Sequence, residues 1–470
     1  MNDGSSLRPE AGGRPSWVLG DIAKRAAGFA SPRGVNIFIA VIIGFALLIL
    51  IGFLLLMLPQ ATASSEWAEP RTALFTATSA VTDTGLVVVD TGIHWSHFGQ
   101  VVVLVLIQMG GLGFMTVTSF LMLMAGRRVL FRDFRVSDAL GAHNAREFAQ
   151  LLLWTLGITI VMEAVGIILL AIYLREGAAG YPWWSATFHA IAAFNNAGFD
   201  TIRDGASLVK YASNAQVLSV MAGLSFMGAL SAPVIITLVR LVRGKDLGVD
   251  AKLALTTTLS LLVVGTLLIF LMDLHNTGTL GPLDTPGKLM NSFFTSVTAR
   301  TAGFSSLNMG ALTLRALFII MILMFIGGVS GSTAGGIKVN TFSVLWLTAL
   351  SYIRGRRHVD VFRRRIPETE VHKAVAVVFF GFALILIVAL VLSATERALS
   401  FRDLSFETVS AFATVGFSTG ITPSLSAAGQ YLLVFTMFVG RLGPLTVALA
   451  LAESREVKEE ERPEAEVRVG

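Results

Sequence analysis

The sequence contains no cysteine and few charged residues: Asp, Glu, Lys and Arg make up 14% of its 470 residues. The absence of cysteine excludes disulfides and thiolate metal sites. The seven histidines form no cluster with metal-ligand spacing, and no Ser/His/Asp arrangement stands out. No glycine-rich dinucleotide or phosphate-binding motif is visible. These absences argue against an enzyme and against a nucleotide-binding domain within this chain.

Apolar residues are abundant, at 54% of the chain with a mean hydropathy of +0.72. Such a chain has too little polar surface to cover a soluble globule. Crossing a bilayer takes roughly 20 apolar residues. Runs of this kind occupy residues 35–58, 98–125, 150–174, 214–242, 253–273, 312–350, 373–395 and 429–452. We therefore predict an all-α membrane protein with eight spans, the sixth too long for one simple crossing.

Basic residues concentrate between alternate spans. They are Arg127, Arg128, Arg132, Arg135, Arg240, Arg243, Lys245, Arg354, Arg356, Arg357, Arg363, Arg364 and Arg365. Cytoplasmic loops are enriched in Lys and Arg, so we expect these loops and both termini to be cytoplasmic in a multi-pass protein of the cell inner (plasma) membrane. The cytoplasmic parts would include residues 1–34, 127–147 and 453–470. The same basic runs could also serve as a docking surface for a cytosolic partner or anionic lipid.

One pattern recurs in each outward-facing segment. A glycine stands ten residues after a phenylalanine and one residue before a large apolar side chain. The pairs are Phe75 with Gly85, Phe188 with Gly198, Phe293 with Gly303, and Phe406 with Gly416. Recurrence at nearly equal spacing indicates an internal repeat. The predicted repeats cover residues 35–126, 148–242, 250–353 and 370–452.

Each repeat has room for a span, a short re-entrant helix, a loop and a second span. About ten residues make a helix near 15 Å long, which reaches only half way across the membrane. Non-helical chain at that depth is tolerated where it lines a watery cavity or is buried in protein. We therefore expect four re-entrant pore loops around one pseudo-fourfold pore. The alternative is that the glycines are tight extracellular turns between ordinary spans.

Loops of this kind could conduct ions. Glycine permits backbone angles that other residues avoid, so the carbonyl groups of the loops can point at the shared axis. Carbonyl oxygens in fourfold array replace the water shell of a monovalent cation, and the C-terminal ends of the short helices add partial negative charge. Neutral neighbours such as Thr84, Asn195 and Thr414 would hold the loops in place or complete the coordination.

Span six is interrupted by residues 327–336, which include five glycines. Each interior glycine costs a helix about 1 kcal/mol relative to alanine, so this run predicts an unwound segment. It could be a flexible gate loop below the four pore loops, or a break that lets a long helix kink. Lys338 lies just beyond it, either near the pathway or reaching to the interface. Arg441 in span eight is expected to face the protein interior or water.

Thr414-Val415-Gly416-Phe417 resembles the start of the potassium-channel filter sequence TVGYG. With the stretch GGVSGSTAGGIK at 327–338, the chain resembles the Trk/Ktr/HKT superfamily of potassium transporters over about residues 35–452, and looks most like its KtrB membrane subunits. The resemblance implies a K⁺ filter made of Asp83, Thr84, Gly85, Asn196, Ala197, Gly198, Thr301, Ala302, Gly303, Thr414, Val415 and Gly416. It implies a gate made of Gly327, Gly328, Gly331, Ser332, Thr333, Gly335, Gly336, Lys338 and Arg441.

The resemblance carries further expectations. In this family a serine at the first filter glycine accompanies sodium permeation, so four glycines imply potassium selectivity. Arg441 matches an arginine that lies near the gate loop of relatives and acts as a barrier to cations; a purely structural pairing is the alternative. K⁺ would be the transported ion, with Na⁺ a candidate activator. The implied assembly is a membrane homodimer on a cytosolic ring of nucleotide-binding, KtrA-like regulatory subunits, with no nucleic-acid partner.

The sequence leaves two alternative roles open for each of two carboxylates. Asp83 could point into the pore or form hydrogen bonds behind the filter, since an unpaired buried carboxylate is costly. Arg300 is its nearest candidate counter-charge in the repeat pattern. Glu163 in span three could make an interhelical hydrogen bond or take part in transport.

Another class of transporter remains open at this point. An alternating-access secondary transporter of another small solute would also place broken helices at the membrane midplane. That class would be expected to contain inverted repeats, whereas the repeats here share one orientation. The predicted function is therefore a potassium-selective, ion-translocating membrane subunit that mediates K⁺ uptake.

Overall fold

The computed structural model describes residues 37–125, 142–174, 182–202, 207–242, 247–356 and 358–443. The predicted cytoplasmic segments 1–34 and 453–470, most of 127–147, and the basic residues Arg243, Lys245 and Arg357 lie outside these ranges. The described helices are α1 Ile37–Met57, α2 Pro70–Val81, α3 Thr91–His94, α4 His97–Ala125, α5 Ala142–Tyr173, α6 Pro182–Phe194, α7 Ala215–Ala229, α8 Ala232–Val242, α9 Val249–Asp273, α10 Thr285–Thr298, α11 Leu314–Phe325, α12 Val339–Ile353, α13 Glu368–Thr395, α14 Phe401–Ala413 and α15 Ala427–Leu442.

The short helices α2, α6, α10 and α14 each precede one of the repeat glycines. They contain 12 to 14 residues, and helices of this length extend about 20 Å. Local sequence sets where they begin: Asp284 caps α10 by accepting from the amide of Gly287, and Ser400 caps α14 by accepting from the amide of Asp403. Each short helix packs on the long helix before it. Helices α2, α6 and α14 also pack on the helix that follows their loop, whereas α10 packs on α7 of the preceding repeat.

Long apolar helices carry much of the exposed hydrophobic surface. Among the described residues, three helices are long and apolar enough to cross a membrane by length and composition: Leu152–Tyr173, Val249–Asp273 and Glu368–Thr395. Shorter apolar helices of 10–17 residues accompany them. Large side chains such as Trp154, Val263 and Phe379 are each more than 60% exposed on these helices. Exposed apolar surface of this extent suits contact with lipid.

Two of the predicted apolar runs are broken helices. The run at 312–350 consists of α11 and α12, with the non-helical segment 326–338 between them, as the glycine content predicted. The run at 214–242, predicted as one continuous span, is divided into α7 and α8 at Leu230 and Ser231. The break turns the carbonyl groups of Gly228 and Ala229 out of the helix, and both accept hydrogen bonds from residues 329–333.

The repeated phenylalanines lie in the core, with one exception. Phe75, Phe188 and Phe406 are completely buried, whereas Phe293 is only half-buried and its neighbour Phe294 is buried instead. In the first, second and fourth repeats, the residue before the glycine donates to a carbonyl five positions back. In the third repeat Gly303 itself does so, to Thr298. The helix is therefore shifted by one residue relative to the glycine, which turns Phe294 inward.

The chain between α12 and α13 forms a basic hairpin. Strands β1 Asp360–Val361 and β2 Arg364–Arg365 pair antiparallel. The turn residues Phe362 and Arg363 both have positive φ, as two-residue hairpins favour. Side chains from Phe362 to Arg365 are exposed.

Candidate functional site

The four glycine loops meet in a closed ring. A Cβ atom added to any of the four glycines would press against the carbonyl oxygen that precedes the next glycine. The neighbours are Ala197 for Gly85, Ala302 for Gly198, Val415 for Gly303, and Thr84 for Gly416. The added atom would lie 2.5 Å from the oxygen at Gly85 and 3.2 Å at Gly198, and would overlap it outright at Gly303 and Gly416. The ring therefore closes in chain order, and the fourth loop returns to the first.

Backbone conformation is repeated around this ring. All four glycines have positive φ, between 69° and 98°. The residue two positions before each glycine also has positive φ: Asp83, Asn196, Thr301 and Thr414. Asp and Asn tolerate this region, whereas β-branched Thr does so at a cost of about 1–3 kcal/mol. Strain of this kind persists only where the surrounding structure enforces it.

Two loops share a support that the other two lack at the same position. The Ser79 hydroxyl accepts from the amide of Gly85 at 3.0 Å, and the Ser410 hydroxyl accepts from the amide of Gly416 at 3.1 Å. Both serines stand six residues before the glycine. The corresponding residue is Ala192 in the second repeat and, because of the one-residue shift, Thr298 in the third, whose hydroxyl donates to the carbonyl of Phe294. These serines were not predicted as site residues, although their common spacing would have marked them.

Residues 327–336 form a loop against this ring, with a paired neck. Gly327 donates to the carbonyl of Ile337 at 2.9 Å, and Ile337 donates to the carbonyl of Phe325 at 3.1 Å. Within the loop, Gly328, Ser332, Thr333 and Gly335 are buried. A Cβ on Gly335 would overlap the Thr414 hydroxyl, so the loop packs directly under the fourth ring loop.

Thr333 joins this segment to two other parts of the protein. Its hydroxyl lies 2.9 Å from the Asn196 amide of the second ring loop and donates to the carbonyl of Gly228 at 2.9 Å. Val329 donates to the carbonyl of Ala229 at 3.1 Å. The break between α7 and α8 thus supplies backbone acceptors for the loop. Gly228 and Ala229 were not anticipated from the sequence, although Gly228 and Pro233 flank the break.

Three cationic side chains, of which Arg300 and Arg441 are buried and Lys338 is partly buried, donate to carbonyls of this loop. Arg441 donates to Thr333, Lys338 donates to Ala334, and Arg300 donates to Gly327 at 3.3 Å. Arg300 also donates to the carbonyl and hydroxyl of Thr258, both at 3.4 Å. Carbonyl oxygens held by charged donors make strong hydrogen bonds. The loop is therefore fixed at its start and near its apex.

Arg441 is the ion-pair partner of Asp83. Both side chains are completely buried, and the Asp83 carboxylate accepts directly from the guanidinium. Arg300, the counter-charge suggested by sequence position, donates elsewhere. Asp83 pairs with Arg441 because helix α15 brings that arginine beneath the first loop, although the two residues are 358 positions apart. One arginine consequently links the first ring loop to the apex of residues 327–336.

Glu163 takes part in an interhelical hydrogen-bond network. Its carboxylate accepts from the side-chain amides of Asn195 at 3.2 Å and Gln108 at 3.4 Å. Asn195 also donates to the side-chain oxygen of Gln108 at 2.8 Å. The network joins α4 and α5 behind the second ring loop, which is the hydrogen-bonding alternative considered for this residue.

This arrangement of four glycine loops in a ring, a broken helix and a buried arginine is accompanied by sequence similarity to a class of membrane transport proteins. Residues 30–460 match the family described as TrkH, cation transport protein. The chain belongs to this family.

Several relatives carry more specific names. The Ktr system potassium uptake protein B of Bacillus subtilis (strain 168) is 38% identical, with 88% of this chain and 92% of the relative covered. The protein of the same name from Vibrio alginolyticus is 39% identical, with 86% and 90% covered. The potassium/sodium uptake protein NtpJ of Enterococcus hirae is 34% identical, with 87% and 91% covered.

A solved structure shares the fold. The crystal structure of the potassium transporter TrkH from Vibrio parahaemolyticus superimposes with a TM-score of 0.70, covering 90% of this chain and 86% of that one. Sequence identity in that comparison is 17%. The similarity therefore concerns the path of the chain.

Proposed function

We propose that this chain is the ion-translocating membrane subunit of a potassium uptake system. In this proposal the ring of four glycine loops is the K⁺ filter and residues 327–336 are its gate. The observation that carries it is the closed ring, in which each glycine meets the carbonyl that precedes the next glycine. Relatives covered over most of their length are named as potassium uptake proteins.

The side chains and backbone carbonyls of the four glycine loops support a monovalent cation as the transported species. The residues before the glycines include Ala197, Ala302 and Val415, whose side chains offer no oxygen ligand. Coordination would therefore come mainly from backbone carbonyls, which can replace the hydration shell of K⁺. Asp83 is committed to Arg441 and adds no unpaired charge.

The gate proposal depends on how the glycine-rich loop is held. It packs against the second and fourth ring loops through Thr333 and Gly335, and is tied to the first through Arg441. A segment in this position would obstruct ions leaving the ring. Its attachments are hydrogen bonds to separate elements, so a small helix movement could release it. Arg441 would act as a barrier to cations mainly by holding the loop in place, because Asp83 balances its charge.

Partners follow from the family and from charge. We propose a membrane homodimer that binds a cytosolic ring of nucleotide-binding regulatory subunits, with Na⁺ as an activating ion; one relative is named for both potassium and sodium. The exposed arginines of the β1–β2 hairpin form the described part of the docking surface. The second predicted docking segment, 127–135, lies outside the described residues.

The test is ion flux through purified protein in liposomes, with K⁺, Rb⁺ and Na⁺ compared. We expect K⁺ and Rb⁺ to pass and Na⁺ to be excluded, and expect Gly85→Ser and Gly416→Ser to abolish the discrimination. Gly223→Ser is the matched control because a Cβ at Gly223 meets nothing within 4 Å. Ion binding measured by calorimetry in parallel reports on the filter while the gate is closed.

Either readout can overturn the proposal. If both glycine substitutions leave K⁺ preference at the level of Gly223→Ser, the ring is a scaffold and not a filter. Saturable uptake of a non-ionic solute would favour an alternating-access transporter instead.

A further inference from the structure

A buried carboxylate, Glu407, lies on the short helix before the fourth ring loop. Its side chain is completely buried. It accepts from the Ser418 hydroxyl, from the amide of Thr419 at 3.2 Å and from the hydroxyl of Thr422 at 2.9 Å. All three donors follow Gly416 in the chain. Glu407 therefore ties the helix that enters the loop to the segment that leaves it.

The donors are also linked to one another. The hydroxyls of Ser418 and Thr422 are 3.0 Å apart, and the Ser418 oxygen accepts from the amide of Gly420 at 2.8 Å. Hydrogen bonds to a charged acceptor contribute more than neutral ones, and a buried network with satisfied members is rigid. We call residues 418–422 the outgoing segment.

The other repeats use different residues at the corresponding position, which is nine before the glycine in the first two repeats and, because of the one-residue shift, eight before it in the third. These are Thr76, His189 and Thr295, all buried. The His189 ring contacts Ser185 of its own helix. Beyond the second glycine, Asp200 accepts from Ile202 within the same segment. A carboxylate that joins helix to outgoing segment thus belongs to the fourth repeat.

The outgoing segment also lies at the seam between the third and fourth repeats. A Cβ on Gly310 would come 2.8 Å from the carbonyl oxygen of Thr419. On the ring itself, a Cβ on Gly303 would overlap the carbonyl oxygen of Val415. Movement of the outgoing segment would therefore shift both the fourth loop and its contact with the third.

We propose that Glu407 is a positioning residue for ion selectivity. By holding the outgoing segment against α14, it keeps the carbonyl groups of the fourth loop at the radius that favours K⁺ over Na⁺. This inference rests on the proposed filter. It predicts that geometry matters more than charge, because a glutamine can accept from Ser418 and Thr419 through its oxygen and donate to the Thr422 hydroxyl through its nitrogen.

The test is calorimetric titration of K⁺ and of Na⁺ into the full chain purified in detergent, with the ratio of the two dissociation constants as the readout. We expect Glu407→Ala to lower the preference for K⁺ by at least about tenfold, since three hydrogen bonds to a carboxylate are lost. Glu407→Gln should stay close to native. Ser418→Ala combined with Thr422→Val removes two donors without changing Glu407 and should give an intermediate loss.

Glu396 provides a matched control. It is another buried carboxylate of the fourth repeat, but it accepts from the amide and hydroxyl of Ser426 and joins the ends of α13 and α15. Glu396→Ala should lower stability and leave the ion ratio unchanged. A general loss of packing would instead change the ratio in both alanine variants.

The outcomes separate this inference from the filter itself. If Gly416→Ser lowers the K⁺ preference and Glu407→Ala does not, the filter stands and the role of Glu407 is refuted. If Glu407→Gln is as impaired as Glu407→Ala, charge and not position is responsible, and the inference is also refuted. If neither the native chain nor Gly416→Ser binds K⁺ more tightly than Na⁺, the filter proposal is refuted. The inference about Glu407, which rests on the filter, is then refuted with it.

Discussion

The ring loops and the glycine-rich loop of residues 327–336 both depart from helix inside the protein, but they are held differently. In the ring, backbone packs on backbone, and a Cβ at Gly303 or Gly416 has no room. The glycine-rich loop is held largely by side chains from other elements, including Arg300, Arg441 and Asn196. Steric fit fixes the first region, whereas the second combines close packing of Gly335 on Thr414 with polar contacts from other elements. The proposed function assigns the first region to a rigid filter and the second to a gate that opens when polar contacts are exchanged.

The largest effect is expected from adding a single methyl group to the ring. Gly303→Ala combines overlap with the carbonyl of Val415 and a left-handed backbone, which costs a non-glycine residue about 1–2 kcal/mol before any clash. We expect K⁺ flux in liposomes to fall strongly and the preference for K⁺ over Na⁺ to be lost, as in Gly416→Ser. Gly198→Ala, where the nearest contacts are 3.2 Å away, should retain measurable flux. Gly223→Ala is the control, and equal flux in all three variants would contradict a sterically fixed ring.

The second effect concerns the ion pair that connects the two regions. Arg441→Gln leaves the Asp83 carboxylate buried without its partner, which destabilises proteins by about 3–5 kcal/mol. We expect a lower unfolding temperature in detergent. Adding Asp83→Asn should recover most of the lost unfolding temperature, because neither side chain then carries a charge.

The double variant also reports on the gate. With the arginine gone, the contact to the carbonyl of Thr333 is lost and K⁺ flux should rise above native. If the double variant is no more stable than Arg441→Gln, the unpaired Asp83 carboxylate is not the cause of the lower unfolding temperature.

A smaller effect is expected within the glycine-rich loop. Thr333→Val keeps the shape of the side chain but removes the hydroxyl that contacts Gly228 and Asn196. Losing a neutral hydrogen bond costs about 1 kcal/mol, so the closed loop should loosen and K⁺ flux should rise about fivefold. Ser332→Ala is the control, because the Ser332 hydroxyl bonds to Val329 and Ala334 inside the loop. If K⁺ flux rises by the same amount in Ser332→Ala, Thr333 does not hold the loop specifically.

The smallest effect is expected behind the ring. Glu163→Gln retains an acceptor for Asn195 or Gln108 in the network between α4 and α5. We expect K⁺ flux and ion preference to change by less than about twofold, as for an exchange within a neutral hydrogen-bond network. A large loss of flux would instead indicate that the carboxylate itself takes part in transport.

Features set by the backbone were the most predictable from the sequence. Gly85 and its three counterparts all have positive φ, which glycine adopts readily. The residue type itself therefore indicates the backbone conformation. Five glycines likewise indicated the break between α11 and α12.

Features set by packing between distant segments were not predictable in the same way. The Asp83–Arg441 pair depends on where α15 docks, and the inward turn of Phe294 depends on a one-residue shift in helix phase. The break at Leu230 is stabilised by hydrogen bonds to residues a hundred positions away. Local sequence carries little of that information.

When one polypeptide forms the whole ring, each of its four repeats can carry different residues. In a homotetramer, a substitution next to the ring appears four times, so a carboxylate or a strained threonine would be imposed on every side at once. Here the residues two positions before the glycines are an aspartate, an asparagine and two threonines. Asp83 meets Arg441, Asn196 meets Thr333, and Thr414 meets Gly335. Each repeat can therefore carry its own contact beside the ring, such as the Asp83–Arg441 pair in the first and the hydrogen bonds of Glu407 in the fourth.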